Sequence, residues 1–170
     1  MAATLYNDAS RQLVLALKYG GRIGLAKPLG RMMAARLGGM GCGWLVVPVP
    51  LHRVRLWHRG YNQAALLAGQ IARATGARHM VDGLLRTKNS APLGGLGRKA
   101  RARELAGAIR VNPGRASAIK GARIILVDDV LTSGATTSAC VGALKRGGAD
   151  KVVIACFARV LDEARDPRIS

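Results

Sequence analysis

Ile124-Ile125-Leu126-Val127-Asp128-Asp129-Val130-Leu131-Thr132-Ser133-Gly134-Ala135-Thr136 is an apolar run that ends in two adjacent carboxylates and a turn of small and hydroxylated residues. Four consecutive aliphatic residues ahead of the acids predict a buried strand of a parallel sheet, covered on both faces. The Thr-Ser-Gly-Ala-Thr turn stands where a helix would open. There, unpaired N–H groups and the helix dipole attract an anion, phosphate above all. Carboxylates cannot serve a phosphate, but they suit sugar hydroxyls or a magnesium ion beside it. Both kinds of group in one turn predict a phosphorylated sugar as ligand.

On the N-terminal side, Asp8 to Tyr19 reads as a helix with Leu13, Val14 and Leu17 on one stripe, ended by Gly20-Gly21. Ile23 to Leu37 reads as a second helix, with Pro28 near its first turn and Met32, Met33 and Leu37 inward. A Gly-rich break from Gly38 to Gly43 follows. Trp44 to Val49 predicts a buried strand, with Pro48 and Pro50 marking its exit into a basic loop from Leu51 to Gly60. Asn62 then caps a helix running through Ala74, with Leu66, Leu67 and Ile71 at helical spacing.

Met80 to Leu85 predicts another strand, and Ala108 to Val111 its return. The connection between them, Arg86 to Gly107, is long enough to act as a lid. After the acid turn come a helix from Thr136 to Arg146, with Val141 and Leu144 inward, and a strand from Lys151 to Ala158. A polar tail covers Leu161 to Ser170. Alternating strands and helices predict an α/β fold, a largely parallel central sheet with flanking helices and a flexible hood loop. Three segments are expected: residues 1–43, a helical segment packing on the core; residues 44–160, the main domain; and residues 161–170, the tail.

The chain has 170 residues, 27 of them basic and 9 acidic, for a formal charge of +18. Such a field draws polyanions, nucleic acid or diphosphate-bearing substrates, although a solvated Arg-rich surface has the same composition. With one Phe, two Trp and three Tyr, an extended stacking platform for single strands is not expected. Cys42, Cys140 and Cys156 lack the spacing of a zinc ribbon or disulfide framework, and the last two lie in apolar surroundings as free thiols. No run reaches the length of a membrane span, and the opening residues lack the basic and apolar regions of a signal peptide. A cytoplasmic protein without a membrane partner is expected.

An acid pair at a strand end has other uses. A Walker B strand also ends in Asp, but its G-x-x-x-x-G-K-[ST] partner does not occur here. A receiver-type phosphoacceptor would carry its acids on an early strand. A plain capping turn would use only Asp129 and Thr132.

The stretch from Ile124 to Thr136 resembles the phosphoribosyl diphosphate (PRPP) signature of type I phosphoribosyltransferases. The wider chain resembles the ComF/GntX branch, the competence protein F family. Its marks are Val47-Pro48-Val49-Pro50-Leu51-His52-Arg53, Arg59-Gly60-Tyr61-Asn62-Gln63, Leu67-Ala68 and Lys18-Tyr19. The resemblance implies that Thr132, Ser133, Gly134, Ala135 and Thr136 hold the 5-phosphate of PRPP. Asp128 and Asp129 would hold the ribose hydroxyls, directly or through Mg²⁺, and are the expected catalytic pair. Leu51, His52 and Arg53, with Arg59, fall where the family's pyrophosphate loop lies. Arg98, Lys99 and Arg101 fall in its hood loop.

The chain carries no four-cysteine zinc finger of the kind with which family members commonly begin. In the hood, Leu96, Arg101 and Ala108 match the family pattern. Leu93, Ala100, Glu104 and Ile109 stand at its Gln, Glu, Asn and Phe positions. The expected activity is transfer of phosphoribose to a nitrogen acceptor, with Mg²⁺ as cofactor. The alternative is a non-catalytic competence protein meeting single-stranded DNA or a helicase through its basic surface. A homodimer is left open.

Overall fold

The computed structural model describes residues 1–87 and 107–160. Its main sheet has five strands, all paired in parallel: β1 (Ala2–Leu5), β2 (Trp44–Pro48), β3 (Arg78–His79), β6 (Arg123–Leu131) and β7 (Lys151–Arg159), in the spatial order β1-β7-β6-β2-β3. A separate antiparallel ribbon joins β4 (Leu84–Arg86) to β5 (Ile109–Val111). The helices are α1 (Asp8–Tyr19), α2 (Ala26–Ala34), α3 (Arg53–Arg59), α4 (Gln63–Thr75), α5 (Ala116–Ile119) and α6 (Ala135–Arg146).

Successive residues of a strand face opposite sides of a sheet. In β6, Ile125 and Val127 join Val46, Trp44 and Phe157 in a core completed by Val14 and Leu17 of α1, Leu29 and Met33 of α2, and Leu67 and Ile71 of α4. Ile124 and Leu126 join Leu45 and Val47 in a second core, closed by Cys140 and Leu144 of α6, Ile119 of α5, and Leu84 and Ile109 of the ribbon. Strands covered on both faces read as unbroken aliphatic runs, and the fold is the predicted α/β architecture, a parallel central sheet with flanking helices.

Local chemistry fixes the helix starts. Asn7 and Ser10 form a reciprocal capping box on α1, with Ser10 N donating to Asn7 Oδ1 at 2.9 Å and Asn7 N to Ser10 Oγ at 2.8 Å. Asn62 caps α4 through Ala64 N at 3.0 Å, and its Nδ2 donates to Val49 O at 3.0 Å, tying the helix start to the exit of β2. Gly30 lets α2 approach α4 closely: a Cβ there would stand 2.4 Å from Gln70 Cβ.

Several expectations are corrected. Residues 51–60 are not an open loop, because His52 caps and Gly60, at φ 79°, ends the helix α3. That helix buries no residue, so no apolar periodicity announced it. The helix expected over Ile23 to Leu37 divides into a 3₁₀ turn (Ile23–Leu25) and α2, and Met32 is 49% exposed rather than inward. The strand expected at Met80 to Leu85 begins instead at Leu84, after a turn at Val81 and Asp82. The first residues, within a segment read as helical, form the edge strand β1 against β7.

Cys140 and Cys156 are buried and free, and Cys42 is exposed and free. Among the described residues no helix is long and apolar enough to cross a membrane. The hood loop and the polar tail lie outside the described residues.

Candidate functional site

Strands β2 and β6 run in register from Trp44 beside Arg123 to Pro48 beside Val127, and Val49 N donates to Val127 O at 2.8 Å. They therefore leave the sheet at one edge. The segment Pro50 to Arg53 and the turn Thr132 to Thr136 both follow from that edge, outside the carboxyl ends of parallel strands where such folds bind ligands.

The acids lie inside β6, which continues through them to Leu131. They occupy successive positions of the strand, yet their carboxyls stay close enough to act on each other directly, and both feel the Lys18 charge. Asp129 follows Ile125 and Val127 toward α1 and meets Lys18, with Nζ 2.9 Å from Oδ2 and side chains 23% and 5% exposed respectively. That buried oxygen has no directed hydrogen bond, so the Lys18 ammonium is its charge partner. Asp128 follows Ile124 and Leu126 toward α6. Burial first, and then the neighbouring Asp129 charge, push the Asp128 carboxyl well above the usual carboxylate range. Burial, helped by Asp128, also pushes the Cys140 thiol up and leaves it an unreactive core group. Backbone N–H groups hold both acids: Asp129 N donates to Asp128 Oδ1 and Val130 N to Asp129 Oδ1, each at 2.9 Å.

Helix α6 opens on Gly134, whose φ of 73° turns the chain from strand to helix. No side chain caps its first turn, and Thr132, Ser133 and Thr136 surround it. A Cβ at Gly134 would meet only ordinary contacts, 3.8 Å from Thr137 Oγ1 and 3.9 Å from Leu131 Cδ1. Gly134→Ala therefore carries the left-handed backbone cost alone, about 1–2 kcal/mol. Urea unfolding is expected to show a loss of that size with an unchanged slope.

Leu51, His52 and Arg53 line a cavity of about 660 Å³ with Arg86 and Arg110 of the ribbon. Burial, and secondarily the charge of Arg55, hold the Arg86 guanidinium below its ordinary range. Its buried Nε has no hydrogen-bond partner. An arginine that is desolvated, near a like charge and incompletely bonded is suited to an anion.

Arg59 stands elsewhere. It donates to Gln63 Oε1 at 2.5 Å, its guanidinium lies 5.1 Å from the Tyr19 ring centroid, and it faces a second cavity shared with Lys18. Arg98, Lys99 and Arg101 lie outside the described residues. Sequence reasoning missed Lys18 and Arg86 as site residues. The Lys18-Tyr19 pair at the end of α1 was a legible signal for the first. Arg86, immediately before the long connection, offered only its position.

The chain belongs to the phosphoribosyl transferase domain family, whose pattern matches residues 64–170. Within that class it is similar to the DNA utilization protein YhgH of Escherichia coli O6:H1, 31% identical over 155 residues that cover 88% of this chain and 66% of that one. It is also similar to competence protein F of Haemophilus influenzae, 32% identical over 114 residues, 67% of this chain and 49% of that one. These relatives bear out the resemblance to the competence protein F group. The chain spans slightly under two thirds of the length of the YhgH protein. In fold it is similar to the glutamine PRPP amidotransferase of Bacillus subtilis, solved with ADP and GMP. The TM-score is 0.52 and the identity 22%, over 76% of this chain and 25% of that one. That likeness concerns the fold alone.

Proposed function

We propose that this protein binds PRPP with Mg²⁺ at the carboxyl edge of its sheet and transfers phosphoribose to a nitrogen acceptor, releasing pyrophosphate. The observation that carries the reading is the single turn in which two acids on β6 run into the uncapped start of α6. Thr132, Ser133 and Thr136 would donate hydroxyls to the 5-phosphate while the amides of the turn from Gly134 and Ala135 meet it along the dipole. The acids would accept from the ribose 2- and 3-hydroxyls. Leu51, His52 and Arg53, with Arg86 across the cavity, would receive the diphosphate.

Mg²⁺ is commonly bound by one or two carboxylates together with substrate phosphates, and the acid pair supplies that number of ligands. Asp129 Oδ2 also fits, being a buried acceptor that no hydrogen bond satisfies. When bound, Mg²⁺ would neutralise charge that develops on the departing diphosphate. The chain's part is to orient the sugar, to balance positive charge growing at the anomeric carbon with Asp128 and Asp129, and to meet the leaving group with guanidinium donors. Calorimetric titration with PRPP and Mg²⁺ tests the binding step. Saturable heat is expected, and Asp128→Ala with Asp129→Ala should abolish it. An unchanged affinity in the double variant would refute the assignment.

The second reading rests on the +18 charge and on α3, which buries nothing and exposes Trp57 at 82% among Arg53, Arg55 and Arg59. Those features, and the DNA-related names of the relatives, support a non-catalytic protein that binds single-stranded DNA. Salt-dependent DNA binding that PRPP does not displace, without pyrophosphate release with any acceptor, would favour it. In either case a cytoplasmic location belongs to the proposal.

A further inference from the structure

The second cavity, about 680 Å³, lies between the C-terminal end of α1 and the helix α3, and is lined by Lys18, Tyr19, Arg55, His58, Arg59 and Tyr61. Among the described residues that line it, none is acidic. Three carry fixed positive charge and one is an imidazole, so the wall selects negative charge. The cavity is also aromatic. Tyr19 is 74% exposed beneath the Arg59 guanidinium, and Tyr61 Oη is committed to Leu17 O at 2.5 Å, which leaves its ring as what it can offer a ligand. Both rings come from a chain with few aromatic residues.

A bare inorganic anion would leave the rings unused, and an uncharged ring would leave the cations unused. The combination suits a planar ring that carries an anionic group. The walls are held in place independently of any ligand: Tyr61 pins the end of α1, Arg59 bridges Tyr19 and Gln63, and Asn62 fastens the next helix to β2. Lys18 is shared between this cavity and the acid pair, since its ammonium lies 2.9 Å from Asp129 Oδ2. A ligand seated here is therefore adjacent to the place where the sugar would lie.

We infer that this cavity takes a nitrogen-bearing aromatic carboxylate and, resting on the PRPP reading, that this ligand is the phosphoribose acceptor. Its nitrogen forms a bond to the anomeric carbon while the bond from that carbon to the diphosphate oxygen breaks. The electron pair leaves on pyrophosphate, and any proton on the nitrogen passes to water. Lys18, Arg55 and Arg59 hold the carboxylate and Tyr19 and Tyr61 the ring.

Two pairs of probes isolate the charge: orotate against uracil, and nicotinate against nicotinamide. Each is titrated calorimetrically into the full chain, and PRPP with Mg²⁺ is titrated separately. In at least one pair the acid is expected to bind ten-fold or more tightly than its neutral twin. Arg59→Gln should weaken the acid at least ten-fold, and Arg59→Lys should restore most of that loss. Tyr19→Ser, a change at an exposed residue, should weaken acid and neutral twin alike. Lys151→Gln, which removes a charge at the opposite edge of the sheet, should change neither.

Neutral twins that bind as well as the acids, no binding by any of the four probes, or an acid preference unmoved by Arg59→Gln would each overturn the inference. If PRPP gives no heat while the acid preference and its Arg59 dependence hold, the ligand class stands and the acceptor role falls with the PRPP reading.

Discussion

Lys18→Met is expected to lower the unfolding free energy by about 3 kcal/mol at neutral pH, because removing one partner of a buried pair strands the other. Asp129, with a side chain only 5% exposed, has Lys18 as its charge partner, and methionine keeps the length of the side chain without the charge. For a chain of this size each kcal/mol corresponds to about 2–4 °C in Tm, so a fall of roughly 6–12 °C is expected. The loss should depend on pH with a definite sign. In the variant the Asp129 carboxylate is left buried without its counter-ion, a cost that exists only while the group is charged. The penalty is then largest above the carboxylate range and disappears in acid. Lys18→Met combined with Asp129→Leu should recover most of the stability, since replacing both partners by apolar groups is often close to neutral. A single-variant loss below about 1 kcal/mol, or two losses that simply add, would show that the pair is too solvated to matter.

Asp128→Asn is expected to move in the opposite direction, gaining stability while losing the ligand. Burial and the Asp129 charge raise the Asp128 carboxyl in the folded state, so folding favours its neutral form. That contribution is fully present below the ordinary carboxylate range and is lost as pH rises through the raised value. An asparagine retains it throughout. The variant's Tm should therefore exceed that of the native chain at pH 7 to 8, by about 2–4 °C for each kcal/mol recovered, and the difference should close on acidification. PRPP affinity should fall at least a hundred-fold, since an amide neither accepts from a diol as a carboxylate does nor binds Mg²⁺ comparably. Equal Tm values across the pH range would show that Asp128 is not strained in the unliganded protein. A stabilised variant that bound PRPP normally would remove Asp128 from the site.

The parallel sheet was legible because strands buried on both faces must be aliphatic throughout, and Ile124 to Val127 with Trp44 to Val47 satisfied that condition. Helices α1 and α4 were legible from their capping residues and apolar stripes. Helix α3 was not, since a helix that buries nothing leaves no periodic trace. Strand β1 was missed because a short edge strand is defined by its partner, and that partner lies at the far end of the described chain. The acid turn was readable as a local motif, whereas the ion pair of Lys18 with Asp129 and the desolvation of Arg86 arise only when distant elements pack together.

The pairing of β1 with β7 also sets an order of assembly. Among the described residues β1 has β7 as its only neighbour in the sheet, and a short connection carries the chain from β1 into α1 and so to Lys18. A ribosome that has released the acid turn but not yet Lys151 to Arg159 has produced the carboxylates without the partner strand of β1. Closing so long a loop is slow compared with forming local helices. Until that strand emerges, the segment bearing Lys18 is held by Tyr61 and by the core of α2 and α4 but lacks the edge pairing of β1, so its full mooring beside the acid pair is a property of the finished sheet.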